Sequence, residues 1–228
     1  MIPEAALFNA STPPTLDGVD LRCVSVEALL ASCTEDPALV VADPPWSSRV
    51  TNRRGSASGH YKALTMAEIV ASLDAAWDVC GDSGRLVLWA TFPQLHDLIP
   101  LMNSTRWRYV TGGAWHKVGR PGIGFHWRGD SEPVLVFVKG RPPRPSTALS
   151  SGHAAARRKH SEKPVAWMAQ WIEGWTQPGD LVLDLYAGLA PLARSCGATG
   201  RRYLGAEIDP VRHAQALDLL AFHGGRRC

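Results

Sequence analysis

The apolar run Ala38-Leu39-Val40-Val41-Ala42 is cut off by Asp43-Pro44-Pro45-Trp46, and this arrest limits what the chain can fold into. Five consecutive apolar residues fit a strand buried on both faces, as strands are in parallel sheets covered by helices. Two prolines forbid continuation as a central strand, so residues 43–46 form a loop at the strand's C-terminal end. Further strands are read at Arg85–Ala90, Trp107–Trp115, Pro133–Val138, Leu181–Leu185 and Arg202–Glu207. Helical patterns alternate with them. Thr65-Met66-Ala67-Glu68 has the spacing of a capping box and opens a helix to about Val79, with Ile69, Leu73, Ala76 and Trp77 on one face. Leu95–Met102, Pro164–Trp175, a segment near Leu192 and a last segment opened by Pro210 read as helices, with Asp209 capping the last. The alternation predicts an α/β fold with a doubly wound, mostly parallel sheet. Ligands bind such sheets at the C-terminal strand ends, near a switch point. Two strand ends here are chemically loaded: Asp43–Trp46 and Asp184–Gly188.

The chain has 228 residues, which predicts one domain over residues 1–228. At 45% hydrophobic and 20% charged it is neither disordered nor fibrous. No stretch approaches the ~18 apolar residues that span a bilayer. Met1-Ile2-Pro3-Glu4 does not open like a secretory signal. Five cysteines without a C-x-x-C pair point to reduced thiols in the cytoplasm, with neither a disulfide frame nor a zinc site. His116 and His126 lack the spacing of metal ligands, so no metal is expected.

The net charge of +3 conceals an asymmetry. Residues 1–103 carry 6 basic and 12 acidic side chains, residues 104–163 carry 12 and 3, and residues 164–228 carry 6 of each. A basic middle segment with Arg106, Trp107, Arg108, Trp115, Lys117, Arg120, Trp127 and Arg128 interleaved is the pattern of a polyanion footprint. Residues 47–60 and about 140–162 are rich in Gly, Ser, Pro and Arg and read as mobile basic loops.

The Asp43–Trp46 loop suits a particular reaction. An exocyclic amine on a nucleobase is conjugated with its ring, so its lone pair is a poor nucleophile. A catalyst must hold the NH2 by its hydrogens, which needs two adjacent acceptors. The Asp43 carboxylate is one, and the Pro44 carbonyl is read as the other, left free of ladder bonds. Pro44 and Pro45 fix that geometry in advance. Trp46 offers a face for an extruded base, worth roughly 1–3 kcal/mol. A sulfonium methyl donor, S-adenosyl-L-methionine, completes the chemistry without a strong base.

D-P-P-W after a strand resembles the catalytic motif of amino-group methyltransferases, in particular the MT-A70 family of N6-adenine methyltransferases. The resemblance covers about residues 20–210. It includes Tyr61 followed by Leu64-Thr65-Met66, the strand Leu86-Val87-Leu88-Trp89, Trp115-His116-Lys117, Gly124-Phe125-His126-Trp127-Arg128, Glu132 and Val138-Lys139-Gly140. It implies a Rossmann-like methyltransferase fold with S-adenosyl-L-methionine as cofactor. It also implies a nucleic-acid substrate bound by Trp46, Tyr61, Lys117, Trp127 and Arg128.

The same resemblance locates the cofactor. Lys163-Pro164 is similar to a Lys-Pro motif beside it, with Lys163 facing the cofactor's carboxylate and Asp43 nearby. Asp184-Leu185-Tyr186-Ala187-Gly188 resembles the D-x-F-x-G signature of the cofactor strand, with Asp184 accepting from the methionine ammonium and Tyr186 packing on the adenosine. Ala190 stands where a second glycine is common. Ala206 and Glu207, the latter nineteen residues past Gly188, end the next strand, where an acid binds ribose hydroxyls. The catalytic loop precedes the cofactor strand, the permuted order of the MT-A70 and beta-class enzymes. The expected activity is N6-adenine methylation of DNA by a bacterial or phage enzyme. RNA N6-adenine methylation, DNA N4-cytosine methylation and a non-catalytic nucleic-acid-binding partner subunit are the alternatives. A homodimer or partner subunit is compatible with the sequence; no membrane is expected.

Overall fold

The computed structural model describes residues 17–46, 63–119, 126–127, 129–156 and 162–224. Tyr61, Arg128, the 47–60 segment and residues 157–161 lie outside the described residues. The elements run β1 (Val19–Arg22), α1 (Val26–Ala31), β2 (Leu39–Ala42), α2 (Met66–Val79), β3 (Gly84–Trp89), a short 3-10 turn (Phe92–Gln94) and α3 (Leu95–Met102). They continue β4 (Arg108–Val118), β5 (Ser131–Lys139), β6 (Gly152–Ala156), α4 (Val165–Trp175), β7 (Leu181–Asp184), α5 (Pro191–Thr199), β8 (Arg202–Ala206) and α6 (Pro210–Gly224). β1, α1 and β6 have no counterpart in the sequence reading. β6 lies inside the segment read there as a loop.

The strands form one eight-stranded sheet in the order β1-β8-β7-β2-β3-β5-β4-β6. β1, β8, β7, β2 and β3 are mutually parallel, and β5 inserts antiparallel between β3 and β4. Chain order turns back between β2 and β7: from this pair the sheet grows one way to β3 and the other way to β8. That is a topological switch point, where the crossovers leave opposite faces and a crevice opens. Val41 is level with Asp184 across it, so the two loaded strand ends are neighbours. The start of β5 and the ends of β4 and β6 reach the same edge, because Trp89 pairs with Val134 and Lys117 with Ala155.

Alternate residues of each strand serve two cores. On β2, Val40 and Ala42 join Ile69, Leu73 and Ala76 of α2 under one face. Leu39 and Val41 join Trp167, Met168 and Ile172 of α4 under the other. All four residues of β2 and all six of β3 are buried, and each large apolar side chain so covered contributes roughly 1.5–3 kcal/mol. The second core is rich in tryptophan: Trp89 meets Trp115, Trp167 and Trp171 at centroid distances of 6.2, 5.8 and 5.6 Å. Local chemistry sets the helix starts. Thr65 and Glu68 close a reciprocal capping box, with Thr65 N–H donating to Glu68 Oε2 at 2.7 Å and Glu68 N–H to Thr65 Oγ1 at 3.2 Å. Asp209 Oδ1 accepts from Val211 N–H at 2.8 Å at the head of α6. No helix among the described residues is long and apolar enough to cross a membrane.

Candidate active site

The loop after β2 is pinned by its own backbone. Trp46 N–H donates to the Pro44 carbonyl at 2.8 Å, and Leu64 N–H donates to the Pro45 carbonyl at 3.1 Å. The Pro44 carbonyl is therefore not free, contrary to the sequence reading. Its tight turn engages one lone pair, and the second remains for another donor. Trp46 is half-buried, bridges to Leu64, and packs on the first core.

Beside this loop lies a row of four alternating charges. Lys163 Nζ is 2.8 Å from Asp43 Oδ2 and 3.1 Å from Glu132 Oε2, and Lys117 Nζ pairs with Glu132 Oε1. The four residues come from different places in the chain: after β2, before α4, and on the facing ends of β4 and β5. Tryptophans floor the row, with Lys163 Nζ 5.0 Å from the Trp89 centroid and Lys117 Nζ 5.3 Å from that of Trp115. Both ammonium groups thus lie on aromatic faces instead of reaching outward.

The electrostatics follow from that arrangement. Burial alone would pull Lys163 down, but Asp43 and Glu132 outweigh it and hold the ammonium charged, with its pKa raised. For Glu132 burial pushes upward, yet Lys163 and Lys117 together overcome it and leave the carboxyl below its ordinary value. Asp43 goes the other way: burial raises it more than Lys163, shared with Glu132, can lower it. Asp43 still has 36% of its side chain exposed, against 9% for Lys163. It is the member of the row open to an incoming group. Lys163, expected against the cofactor's carboxylate, bridges Asp43 and Glu132, and Lys117, expected on the substrate, pairs with Glu132.

Across the switch point, Asp184 is buried and accepts from the Tyr203 hydroxyl at 2.9 Å. Its pKa is pushed up to about 7, by burial first, with hydrogen bonds from Tyr203 and the Tyr186 backbone opposing and the charges of Asp43 and Glu207 reinforcing. Glu207 is also buried and raised, by burial above all, although the Asp209 and Gly188 N–H groups and Arg212 oppose it. Three carboxyls above their ordinary values on adjoining strand ends make a place where a cationic ligand is welcome. The backbone between them is shaped for close approach. Gly188 has φ +57°, and nothing crowds its missing Cβ nearer than Arg212 Nη2 at 3.5 Å, so the backbone conformation itself calls for glycine. Ala190 adopts φ 52°, ψ 47° at the head of α5. This left-handed conformation is one that glycine adopts without strain and that costs an L-residue about 1–2 kcal/mol.

Leu185 is fully buried, its N–H donating to the Val41 carbonyl at 3.0 Å. Ala206 is buried and accepts from Ala187 N–H at 2.8 Å. Tyr186 is half-buried, its hydroxyl 2.6 Å from Ser72 Oγ on α2. Trp127 is 89% exposed. Glu132, Trp89 and Tyr203 were not selected as site residues from the sequence. The signals for Glu132 were its place in the motif block that carries the family resemblance and an acid in a basic segment, at the head of an apolar strand. Among the described residues no His, Cys, Asp or Glu cluster is arranged to hold a metal ion.

Residues 144–218 match a family model of N6/N4 methyltransferases described as DNA methylase. That span holds the Asp184 half of the site and not the Asp43 loop. YubD of Escherichia coli K12, described as a methylase, is 32% identical over 94 residues, 40% of this chain and 41% of YubD. The type II methyltransferase M.MunI of a Mycoplasma species is 32% identical over 150 residues, 56% of this chain and 63% of M.MunI. The chain thus spans about two fifths and three fifths of these relatives. Among solved structures, TTHA0409 of Thermus thermophilus, described as a DNA modification methylase and complexed with S-adenosyl-L-methionine, superimposes with a TM-score of 0.67 at 20% identity, covering 91% of this chain and 97% of that one. The PvuII cytosine-N4-specific DNA methyltransferase gives 0.70 at 14% identity, covering 95% of each chain. The chain has the Rossmann-like α/β fold of these methyltransferases.

Proposed function

We propose that this chain transfers a methyl group from S-adenosyl-L-methionine to an exocyclic amine of a base in DNA, with adenine N6 the favoured target, as its resemblance to the MT-A70 family implies. One observation carries the reading: the Asp43 loop and the Asp184 strand end adjoin across the switch point, with Val41 and Asp184 in register.

The residues present fit that cofactor. Its ammonium and sulfonium are cationic, and Asp184 and Glu207 supply carboxyls whose charge is under-compensated. Glu207, on the strand next to that of Asp184, would take ribose hydroxyls, and Gly188 would let the ligand come close to the backbone. When bound, the cofactor supplies an electrophilic methyl group. The chain's own work is on the amine. Lys163 is at Oδ2 of Asp43, so Oδ1 can accept one amine hydrogen while the second lone pair of the Pro44 carbonyl accepts the other. Held by both hydrogens, the nitrogen turns its lone pair out of conjugation toward the methyl. Lys163, kept charged by two carboxylates, opposes the burial that raises Asp43 and so favours its carboxylate form, the acceptor.

N4 of cytosine is the second reading. The hydrogen-bonding task is the same, and the PvuII enzyme of that specificity shares the fold. The test is transfer of labelled methyl to DNA and to RNA by the wild type and by Asp43→Ala. Label in DNA that disappears in Asp43→Ala, with cofactor binding retained, supports the proposal; undiminished transfer in the variant refutes it.

A further inference from the structure

At the opposite end of the sheet from Asp43 lies a groove of about 770 Å³ between the β3-β5-β4 surface, the segment 141–149 and Trp175. Four arginines line it, Arg85, Arg108, Arg141 and Arg144, and no Asp or Glu does. Elsewhere on the described surface arginines are matched: Arg106 pairs with Asp74 and Asp78, and Arg202 with Glu35. Arg108, Arg141 and Arg144 are exposed and make no ion pair among the described residues. Arg85 is the built part. It is 6% exposed, donates to the Trp175 carbonyl at 3.3 Å and to the Pro143 carbonyl, and lies 5.7 Å from the Trp175 ring centroid. A charge so placed, with carbonyls and a ring but no described carboxylate, leaves a positive field in the groove.

The outer wall is held in position. Arg85 fastens Pro143, and Ser146 N–H donates to the Gly174 carbonyl at 2.8 Å. Pro142, Pro143 and Pro145 restrict the backbone between these points. Gly140 turns the chain into the wall with φ +57°, where a Cβ would come within 2.3 Å of the Asp82 carbonyl oxygen. Arg141 and Arg144 are thus presented opposite Arg108 at little further ordering cost.

We propose that this groove is a second anion site, which holds backbone phosphates of the DNA flanking the target base. It rests on the reading of DNA as substrate. Glu132, at the catalytic edge, and Val138, level with Arg108, are six residue steps apart along β5. At ~3.4 Å per residue that is about 20 Å, or roughly six base pairs of duplex.

The test is fluorescence-anisotropy titration of labelled duplexes, for the wild type and for the Arg108→Gln, Arg141→Gln, Arg144→Gln triple variant. All three side chains are exposed, and an unchanged melting temperature verifies the fold. The slope of log K against log salt should shrink by about 0.9 for each phosphate that the variant no longer neutralises, and affinity at ~0.1 M salt should fall tenfold or more. The difference should vanish on duplexes trimmed to fewer than about six base pairs beyond the target base on one side. Cofactor affinity and transfer to the trimmed duplex should match wild type. Equal slopes for wild type and variant on the long duplex overturn the proposal, even if methyl transfer to DNA is observed. Should the wild type transfer no methyl to DNA, the functional reading fails on its own. The groove is then judged by binding alone: inorganic pyrophosphate or an acidic peptide bound in preference to duplex overturns it, and duplex binding abolished in the triple variant sustains it.

Discussion

Replacing Glu132 with Gln removes one negative charge from the row Asp43, Lys163, Glu132, Lys117 and leaves that row at a net +1. The side chains of Glu132 and Lys117 are each 15% exposed and that of Lys163 is 9% exposed, so water compensates little. Removing one partner of a largely buried ion pair costs about 3–5 kcal/mol, because the other charge is left desolvated. Here Glu132 serves two ammonium groups, so the upper half of that range applies. At about 2–4 °C per kcal/mol for a chain of this size, the melting temperature should fall by roughly 8–20 °C. The charge arithmetic supplies the control: adding Lys117→Met to Glu132→Gln returns the row to neutrality and should recover most of the loss. Differential scanning calorimetry and urea titration at constant pH and salt measure both variants. A Glu132→Gln protein that melts within about 1 °C of wild type would refute the row as a coupled unit. So would a double variant whose losses simply add.

Asp184→Asn should weaken cofactor binding and remove its pH dependence. With the carboxyl at about 7 in the ligand-free protein, a cationic ligand needs it ionised. Affinity in the wild type should therefore rise up to about tenfold per pH unit from 5 to 7 and level off above, as read by calorimetric titration. The same raised carboxyl makes folding stability fall as pH climbs from about 4 to about 7, because the folded protein binds the proton more tightly than the unfolded chain. Lys163→Met leaves the Asp43 and Glu132 carboxyls without their shared cation; it should raise both carboxyls and cut kcat at neutral pH more than at higher pH, seen in a pH–rate profile. Thr65→Ala opens the capping box at the head of α2 and should cost about 1 kcal/mol in urea unfolding, with methyl transfer unchanged.

Elements governed by local chemistry were legible in the sequence. β2, β3, β7 and β8 are short apolar runs because the sheet is covered on both faces, and a capping box or a proline marks where α2 and α6 begin. β1 escaped because only Leu21 of its four residues is buried, leaving no apolar run. α1 is only six residues long. β6, Gly-His-Ala-Ala-Ala, has the composition of a loop and is a strand only because β4 offers it an edge. The site divides in the same way. That Asp43 and Asp184 share an edge follows from strand alternation. The direction of Lys163 does not, since it depends on Glu132, thirty-one positions earlier in the sequence and 3.1 Å away in the folded chain. Nor was the Trp46 N–H donated to the Pro44 carbonyl visible, because it exists only in the turn the prolines impose.

The most direct measurement is mass spectrometry of nucleosides from DNA incubated with the protein and methyl-labelled S-adenosyl-L-methionine. Label is expected on the exocyclic amine of a base, N6-methyladenosine in deoxy form first and N4-methyldeoxycytidine second, and none with Asp43→Ala. Label at a ring carbon, or none on any base while the cofactor binds, would contradict it.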